Sequence, residues 1–216
     1  MKKQNKLILV SLVALLSTAG STVALAKSPI TANIGITSNY IWRGVTQSND
    51  ISAVSGGVDY AHSSGAYVGI WQSSLAGNDY EQDIYGGYKF KAGPVALDAG
   101  YIKYMYPAGN VTDFDEAYFN ASYKMFSTGI AVNTDKEGGA QTGDKYFYGA
   151  AEFEVKKDLI LGVTLGRYDR KADVDYTHYG LNLSKDNFKI SYDKNNLNGV
   201  AGDARLSVSW GKNFDL

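Results

Sequence analysis

Apolar and polar residues alternate along most of the chain between residue 31 and the C-terminus. A period of two is typical of β-strands, because successive side chains point to opposite faces of a sheet. In the first such segment, one face carries Ala32, Ile34, Ile36, Tyr40 and Trp42, and the other carries Asn33, Gly35, Thr37, Asn39 and Arg43. The segment 66–73 is apolar on both faces, so the sequence leaves its orientation open. About twelve segments predict an all-β chain, and none after residue 26 has the 3.6-residue period of an amphipathic helix.

The lengths of the connections separate two folds that share this alternation. Short connections follow the even-numbered segments, at 62–65, 91–94, 124–127, 156–158 and 185–187. Longer polar connections follow the odd-numbered ones, for example 75–82, 134–145 and 195–203. Outer-membrane barrels combine short periplasmic turns with long outer loops, whereas a soluble sandwich has no reason to sort its loops by length. The pattern predicts a transmembrane antiparallel up-and-down β-barrel with both termini in the periplasm.

Aromatic residues cluster near both ends of the apolar faces. Those beside the short turns are Tyr60, Phe90, Tyr123, Phe153 and Phe188, and those nearer the long loops are Tyr40, Trp42, Tyr101, Tyr192 and Trp210. Two such rings are typical of the interfacial girdles of a membrane barrel. The alternative is that these rings fill the core of a soluble barrel.

The N-terminus has the three parts of a secretory signal peptide. Lys2, Lys3 and Lys6 precede the apolar run 7–16, and Ala24-Leu25-Ala26 is a small-x-small cleavage site. A spanning helix needs roughly 20 apolar residues, which argues against a retained anchor. We predict a signal peptide at 1–26 and one barrel domain at 27–216, exported to the outer membrane of a Gram-negative cell.

Composition narrows the possible partners. The signal peptide contains three of the 21 basic residues and none of the 22 acidic ones, so the mature net charge is 18 − 22 = −4. With no basic stripe, the chain is not expected to bind nucleic acid. The absence of cysteine excludes disulfides and thiolate metal sites, and we expect neither a cofactor nor a metal. The expected surroundings are outer-membrane lipid and lipopolysaccharide.

Two stretches resemble known proteins. The C-terminal segment 209–216 resembles the signal read by the barrel assembly machinery, with Gly211, Phe214 and Leu216 in register, although the last residue of that signal is often phenylalanine. The segments SNYIWRGVTQ (38–47), GGVDY (56–60) and SGAYVGIW (64–71) resemble the TorF-like porin family of proteobacterial outer-membrane proteins. That resemblance implies an outer-membrane barrel with a pore, and it assigns no catalytic or substrate residue.

Charged residues on the polar faces are candidates for lining a pore. Facing lipid, each would cost roughly 2–4 kcal/mol near the bilayer midplane, so we place them inside the barrel or at its rim. They are Arg43, Asp59, Lys89, Asp98, Glu116, Glu152, Lys189, Asp193 and Arg205. Twelve strands lie between filled eight-stranded barrels and wide sixteen-stranded ones. The sequence therefore predicts a porin-like channel for passive diffusion of ions or small solutes, with weak ion selectivity because five acids face four bases.

Three alternatives remain open. Opposite charges could pair across the lumen and leave a non-conducting barrel whose loops bind partners. A barrel hydrolase would need His62, in a short turn, or His178, close in sequence to Asp169, Asp173 and Asp175, although a solvated loop-end histidine is the simpler interpretation of His178. The acidic run 78–83 and the group Asp113, Asp115 and Glu116 could bind calcium, but neither has EF-hand spacing. We therefore expect no catalytic residue and no metal ligand.

Overall fold

Twelve strands close into a single antiparallel barrel in the computed structural model, which describes residues 28–109 and 111–216. The barrel strands are β1 (Ile30–Thr37), β4 (Ala53–Ala61), β5 (Ala66–Ser74), β6 (Tyr80–Ala92), β7 (Val95–Met105), β8 (Phe114–Tyr123), β9 (Phe126–Lys136), β10 (Lys145–Lys156), β11 (Leu159–Asp169), β12 (Tyr176–Lys185), β13 (Phe188–Asn195) and β14 (Arg205–Asp215). Strands β2 (Ile41–Trp42) and β3 (Val45–Thr46) form a separate hairpin between β1 and β4. Short 3₁₀ turns lie at Ala76–Asn78, Glu137–Gly139 and Gly199–Gly202. The predicted signal peptide, 1–26, lies outside the described residues.

Each strand pairs with its neighbours along the chain, and β1 closes the barrel between β4 and β14. Ile30 lies opposite Tyr60 on one side, and Thr31 lies opposite Asp215 on the other. Closure leaves no strand edge with unpaired backbone groups, which is what a sheet in lipid requires. Across the described residues, no helix has the length and apolar character that crossing a membrane would require.

The apolar face of the barrel points outward. Leu206 is 73% exposed and Leu165 is 58% exposed, whereas Asp83 and Glu116 are 0% exposed. A soluble barrel would bury the first pair and expose the second. The predicted transmembrane barrel is therefore confirmed, and the soluble alternative is wrong. The open orientation of β5 is also settled, because Val68 and Ile70 face outward while Trp71 is buried inside.

The predicted asymmetry of the two ends is present. Turns at 62–65, 93–94, 124–125, 157–158 and 186–187 lie at one end, and loops at 38–52, 75–79, 106–109 with 111–113, 137–144, 170–175 and 196–204 lie at the other. Gly93, Lys124, Asp158 and Asp186 have positive φ in the two-residue turns. That geometry matches the twist of tight antiparallel hairpins and explains why so few residues suffice.

The first barrel strand is shorter than the sequence predicts. β1 ends at Thr37, and the chain then turns into the lumen instead of continuing outward to Arg43. Tyr40 and Trp42 therefore lie inside the barrel, and their assignment to the outer girdle is wrong. Apolar and polar residues alternate in the same way in a barrel strand and in a hairpin. The path of the chain after Thr37 is decided by the polar partners that it finds inside the barrel. The prediction that Trp210 lies near the long loops is also wrong, because this residue lies in the middle of β14, opposite Ile36 and Phe188.

The outward position of the apolar side chains predicts that a charged side chain introduced among them lowers the stability of the barrel. Leu181→Lys should lower the free energy of unfolding by about 2–4 kcal/mol, because the ammonium would face hydrocarbon. The control is Ser191→Lys, which places the same group in the polar interior and should cost less. Denaturant unfolding of both variants in lipid vesicles would measure this, and equal losses would contradict a lipid-facing Leu181.

Candidate functional site

A hairpin within loop 38–52, residues 40–47, occupies the half of the lumen nearer the long loops, and this end is called the outer end below. Arg43 is at its tip, and its Nη1 and Nη2 atoms donate to the Oε1 and Oε2 atoms of Glu116 at 2.8 and 2.6 Å. The guanidinium carbon lies 4.1 Å from the ring centroid of Trp42 and 4.2 Å from that of Tyr146. Bidentate pairing and stacking both use the flat guanidinium, so a lysine could not replace it.

Further contacts fix the hairpin on either side of its tip. The Gly44 carbonyl accepts a hydrogen bond from Asn195 Nδ2 at 2.7 Å, and the Tyr40 hydroxyl donates to Glu81 at 2.8 Å. Gly44 has φ +77°, and a Cβ atom there would lie 2.5 Å from the Cβ atom of His178. Glycine is thus required at this position both by its conformation and by the available space.

The base of the hairpin is tied to another outer loop. Asn39 Nδ2 donates to Asp50 at 2.7 Å, and Arg205 Nε donates to the same carboxylate at 2.7 Å. Arg205 also donates to the carbonyls of Val200 and Asp203, both at 2.9 Å. The bond from Arg205 holds the pKa of Asp50 below its ordinary value of 3.8. Arg205 therefore connects loops 38–52 and 196–204 at the outer rim.

Aromatic rings fill the space around the hairpin. Trp42 packs against Tyr104 and Tyr168 with ring centroids 6.0 Å apart in each case. Tyr104 also stacks on Phe114, with centroids 4.5 Å apart. Together with the ion pair, these rings narrow the outer half of the lumen.

Two buried carboxylates in this region were missed by the sequence analysis. Glu81 accepts hydrogen bonds from the hydroxyls of Tyr40 and Tyr106, at 2.8 and 3.0 Å. Asp83 is fully buried, and neither of its carboxylate oxygens has a hydrogen-bond partner. The sequence predicts an acidic loop at 78–83, but β6 begins at Tyr80 and includes both residues. Tyr85 and Lys89 point into the barrel, and every second residue before them points the same way. Continuing this alternation back along the chain places Glu81 and Asp83 inside as well.

The inner half of the lumen has two different walls. On one wall the hydroxyls of Tyr85 and Tyr67 donate to Asp59 and Asp98, respectively, and Lys89 lies 4.8 Å from the Tyr67 ring. On the other wall a cavity of about 180 Å³ extends beneath the hairpin tip. Its lining includes Thr37, Asn182, Lys189, Ser191, Asp193, Ser207 and Ser209, with Arg43, Gly44 and His178 at its outer end. Open space therefore remains along β1 and β11–β14.

The nine charged residues predicted to line a pore fall into four groups inside the barrel. Arg43 and Glu116 form the buried pair, and Asp59, Lys89 and Asp98 lie among tyrosines. Lys189 lies within electrostatic range of Glu152 and Asp193 on the other wall. Arg205 is bonded to loops at the rim. Their role in lining a pore stays a prediction.

The two histidines do not form the triads that a hydrolase would need. His178 is only 4% exposed, and its Nε2 atom lies 2.9 Å from the Tyr146 hydroxyl, so its assignment as a solvated loop-end residue is wrong. The burial follows from its inward position on β12, directly beneath Gly44. The nearby aspartates pair elsewhere: Asp169 and Asp175 with Arg167, and Asp173 with Arg170. His62 contacts Ser64 in an exposed turn.

Comparison with known proteins identifies the family. The model of a family described as "Bacterial protein of unknown function (Gcw_chp)" matches residues 23–200. The chain belongs to this family. Its description is broader than the TorF-like porin resemblance, which stays a prediction. Among curated proteins, no sequence matches the chain.

Solved structures of membrane barrels share the fold of this family member. The KdgM porin is 10% identical, with 87% of this chain and 98% of that chain covered and a TM-score of 0.55. The same figures hold for the KdgM porin in complex with disordered oligogalacturonate. A structure from work on in-meso crystallization of membrane proteins is 9% identical, with 86% and 83% covered and a TM-score of 0.61. At these identities the likeness shows the fold alone.

The buried ion pair predicts a large stability effect. Glu116→Gln should lower the free energy of unfolding by about 3–5 kcal/mol, because the Arg43 guanidinium would stay buried without its counter-charge. The double variant Arg43→Met/Glu116→Leu removes both charges and should lose less. Denaturant unfolding in vesicles would measure both, and a single variant as stable as the unmodified protein would contradict the role of the pair.

The contact between Asp50 and Arg205 predicts that the attachment of loop 38–52 at the rim depends on pH. The pKa of Asp50 is lower in the folded protein than its ordinary value. The contact with Arg205 therefore contributes its full stability at pH values above the ordinary pKa, and this stability is lost as the pH falls through the pKa of the folded protein. A spin label on Ile51→Cys, in a chain with no other cysteine, should gain mobility in acid. Adding Asp50→Asn should remove that pH dependence, and its persistence would contradict the assignment.

Proposed function

We propose that this protein is an outer-membrane porin-like channel for passive diffusion of ions or small solutes, with hairpin 40–47 as its constriction. The observation that carries the proposal is the cavity inside a closed barrel, which has charged and hydroxyl side chains in its lining and is bounded at its outer end by Arg43 and Gly44. A barrel whose interior is filled throughout by side chains would leave no such open space along one wall. Lumen charge and a loop constriction are the two features by which channels set preference.

The two walls of the lumen support a path on one side. Small inward residues on β1, β13 and β14, such as Gly35, Ser191 and Ser207, leave the cavity open. On the opposite side, tyrosines fill the space and hydrogen-bond to carboxylates. A solute would therefore pass along the first wall, beneath the hairpin.

The resemblance to known porins extends to fold and not to solute. The KdgM porin was solved with oligogalacturonate, a chain of acidic sugars. The charged residues predicted for this lumen include more acids than bases, and Glu81 and Asp83 add two further carboxylates. That interior disfavours a polyanion, so we do not extend the KdgM ligand to this protein.

The proposal includes the outer membrane as location and membrane groups as partners. The predicted signal peptide at 1–26 supports export, and the outward apolar face supports contact with lipid and lipopolysaccharide. Phe214 and Leu216 are exposed, as recognition by the barrel assembly machinery through them and Gly211 would need. The TorF-like porin resemblance agrees with this location.

A second candidate is a non-conducting barrel whose outer loops bind a partner. The tight packing of Trp42 and Arg43 in the outer half of the lumen favours it. A hydrolase using His178 has less support, because that ring contacts Tyr146 and the hairpin instead of a nucleophile and an acid. Conduction separates the first two candidates.

Conductance in planar bilayers tests the proposal. The refolded mature protein should give small discrete steps, and Arg43→Ala/Glu116→Ala should raise the step size severalfold by loosening the hairpin. The matched control is Lys103→Ala/Asp115→Ala, which removes an ion pair on the outward face and should leave conductance unchanged. Silence from both the folded protein and the Arg43/Glu116 variant would favour the non-conducting barrel.

A further inference from the structure

Five uncharged polar side chains on the open wall of the lumen have hydrogen-bonding groups to offer. They line the cavity beneath the hairpin, and they are Ser55, Thr164, Asn182, Ser191 and Ser207. Within residues 28–109 and 111–216, none of their hydroxyl or amide groups is hydrogen-bonded to another group of the protein. On the opposite wall, by contrast, the hydroxyls of Tyr67 and Tyr85 donate to carboxylates. The polar groups of the open wall are therefore available to a molecule inside the cavity.

Three of these groups form an uncharged row across adjacent strands. Asn182 on β12 lies opposite Ser191 on β13, and Ser191 lies opposite Ser207 on β14. Neighbouring strands are roughly 4.8 Å apart, so the row presents hydroxyl and amide groups at a regular spacing along one side of the cavity. Gly180, two residues before Asn182 on the same face of β12, has no side chain and also lines the cavity. The open space therefore continues past the row toward the hairpin.

The charged residues of the lining each have an opposite charge nearby. They are Arg43, Lys189 and Asp193. Arg43 is bonded to Glu116, and Lys189 lies within electrostatic range of Asp193 and Glu152. A proton passing from Lys189 to either carboxylate would leave the lining no more charged than before. Ion-selective pores have rings of like charge, and the described part of this lining has none.

We propose that the solute of this channel is a small uncharged polyol, a molecule with hydroxyl groups along a short carbon chain. The hydroxyls of such a solute both donate and accept hydrogen bonds, as do those of serine and threonine. Groups of the wall can therefore replace the water that the solute loses on entering the cavity. An ion that lost its hydration here would find no unpaired opposite charge, which is far more costly. The proposal rests on the proposed function, because it names what the channel passes.

The volume of the cavity limits the length of the solute. Pockets that hold drug-sized ligands have volumes of roughly 300–1,000 Å³. The cavity here measures about 180 Å³, so it suits a shorter molecule. We expect the four-carbon polyol erythritol to pass faster than the six-carbon polyol sorbitol.

Swelling of vesicles that contain the refolded mature protein tests the proposal. A solute that enters through the protein draws in water, and light scattering follows the swelling. Vesicles in iso-osmotic erythritol should swell faster than vesicles in potassium erythronate, the anion of the same carbon skeleton, with valinomycin present to carry the K⁺. Protein-free vesicles measure the background entry through lipid.

Removal of the wall hydroxyls separates hydrogen bonding from size. Thr164→Val/Ser191→Ala/Ser207→Ala replaces three hydroxyls with groups that are no larger, so erythritol entry should fall severalfold. A passage governed by size alone would be unchanged or faster in this variant. The matched control is Thr177→Val, which removes a hydroxyl from the outward side of β12 and should leave entry unchanged. Heat-modifiable gel migration checks that each variant is folded.

The outcomes distinguish failure of the solute class from failure of the channel. Erythronate entry as fast as erythritol entry, or unchanged erythritol entry in the triple variant, would overturn the solute class. Ion conductance without erythritol entry would also overturn it and would leave the channel standing. Neither entry of any solute nor conductance from the folded protein would defeat the proposed function, and the solute class with it.

Discussion

The ion pair between Arg43 and Glu116 is the contact on which the arrangement of the lumen depends. It connects a loop that follows β1 to the wall formed by β8, across the interior of the barrel. Because both groups are buried, neither can exchange its partner for water, and loss of one would leave the other charge unsatisfied. The aromatic rings around the guanidinium then have a fixed surface to pack against. The position of the hairpin, and hence the narrowing of the outer half of the lumen, follows from this pair.

The outside of the barrel obeys a different constraint. Lipid offers no hydrogen bonds, so every backbone group within the bilayer must be paired by the sheet itself, and closure between β1 and β14 satisfies this. Most side chains on the outward face are therefore apolar, and the interior carries most of the polar ones. Packing inside is consequently polar and aromatic, which explains why tyrosine hydroxyls and carboxylates form the internal network instead of an aliphatic core.

This network is uneven, and the unevenness bears on function. Tyrosines occupy the wall around Asp59 and Asp98, while small and hydroxylated residues leave a cavity along β13 and β14. The hairpin bounds that cavity at its outer end, so the same loop both fills the lumen and limits access to its open part. Arg205 and Asp50 add a second attachment at the rim, where solvent reaches the carboxylate. A channel narrowed by its own first loop is the arrangement that these contacts favour.

The sequence alone determined the barrel, its twelve strands, the outward apolar face and the contrast between short turns and long loops. These features depend on local alternation and on loop length. Alternation is visible as a period of two, and loop length is visible as the spacing between alternating segments. Only the tertiary structure decided where Tyr40, Trp42 and Arg43 lie, because alternation continues unchanged through a strand that ends and a hairpin that turns inward. The sequence likewise predicts a loop at Glu81 and Asp83, because a run of acidic residues is typical of a solvated loop. The structure places both residues in β6, which begins at Tyr80. Burial of a charge depends on partners distant along the chain, and in this protein Glu116 is 73 residues from Arg43.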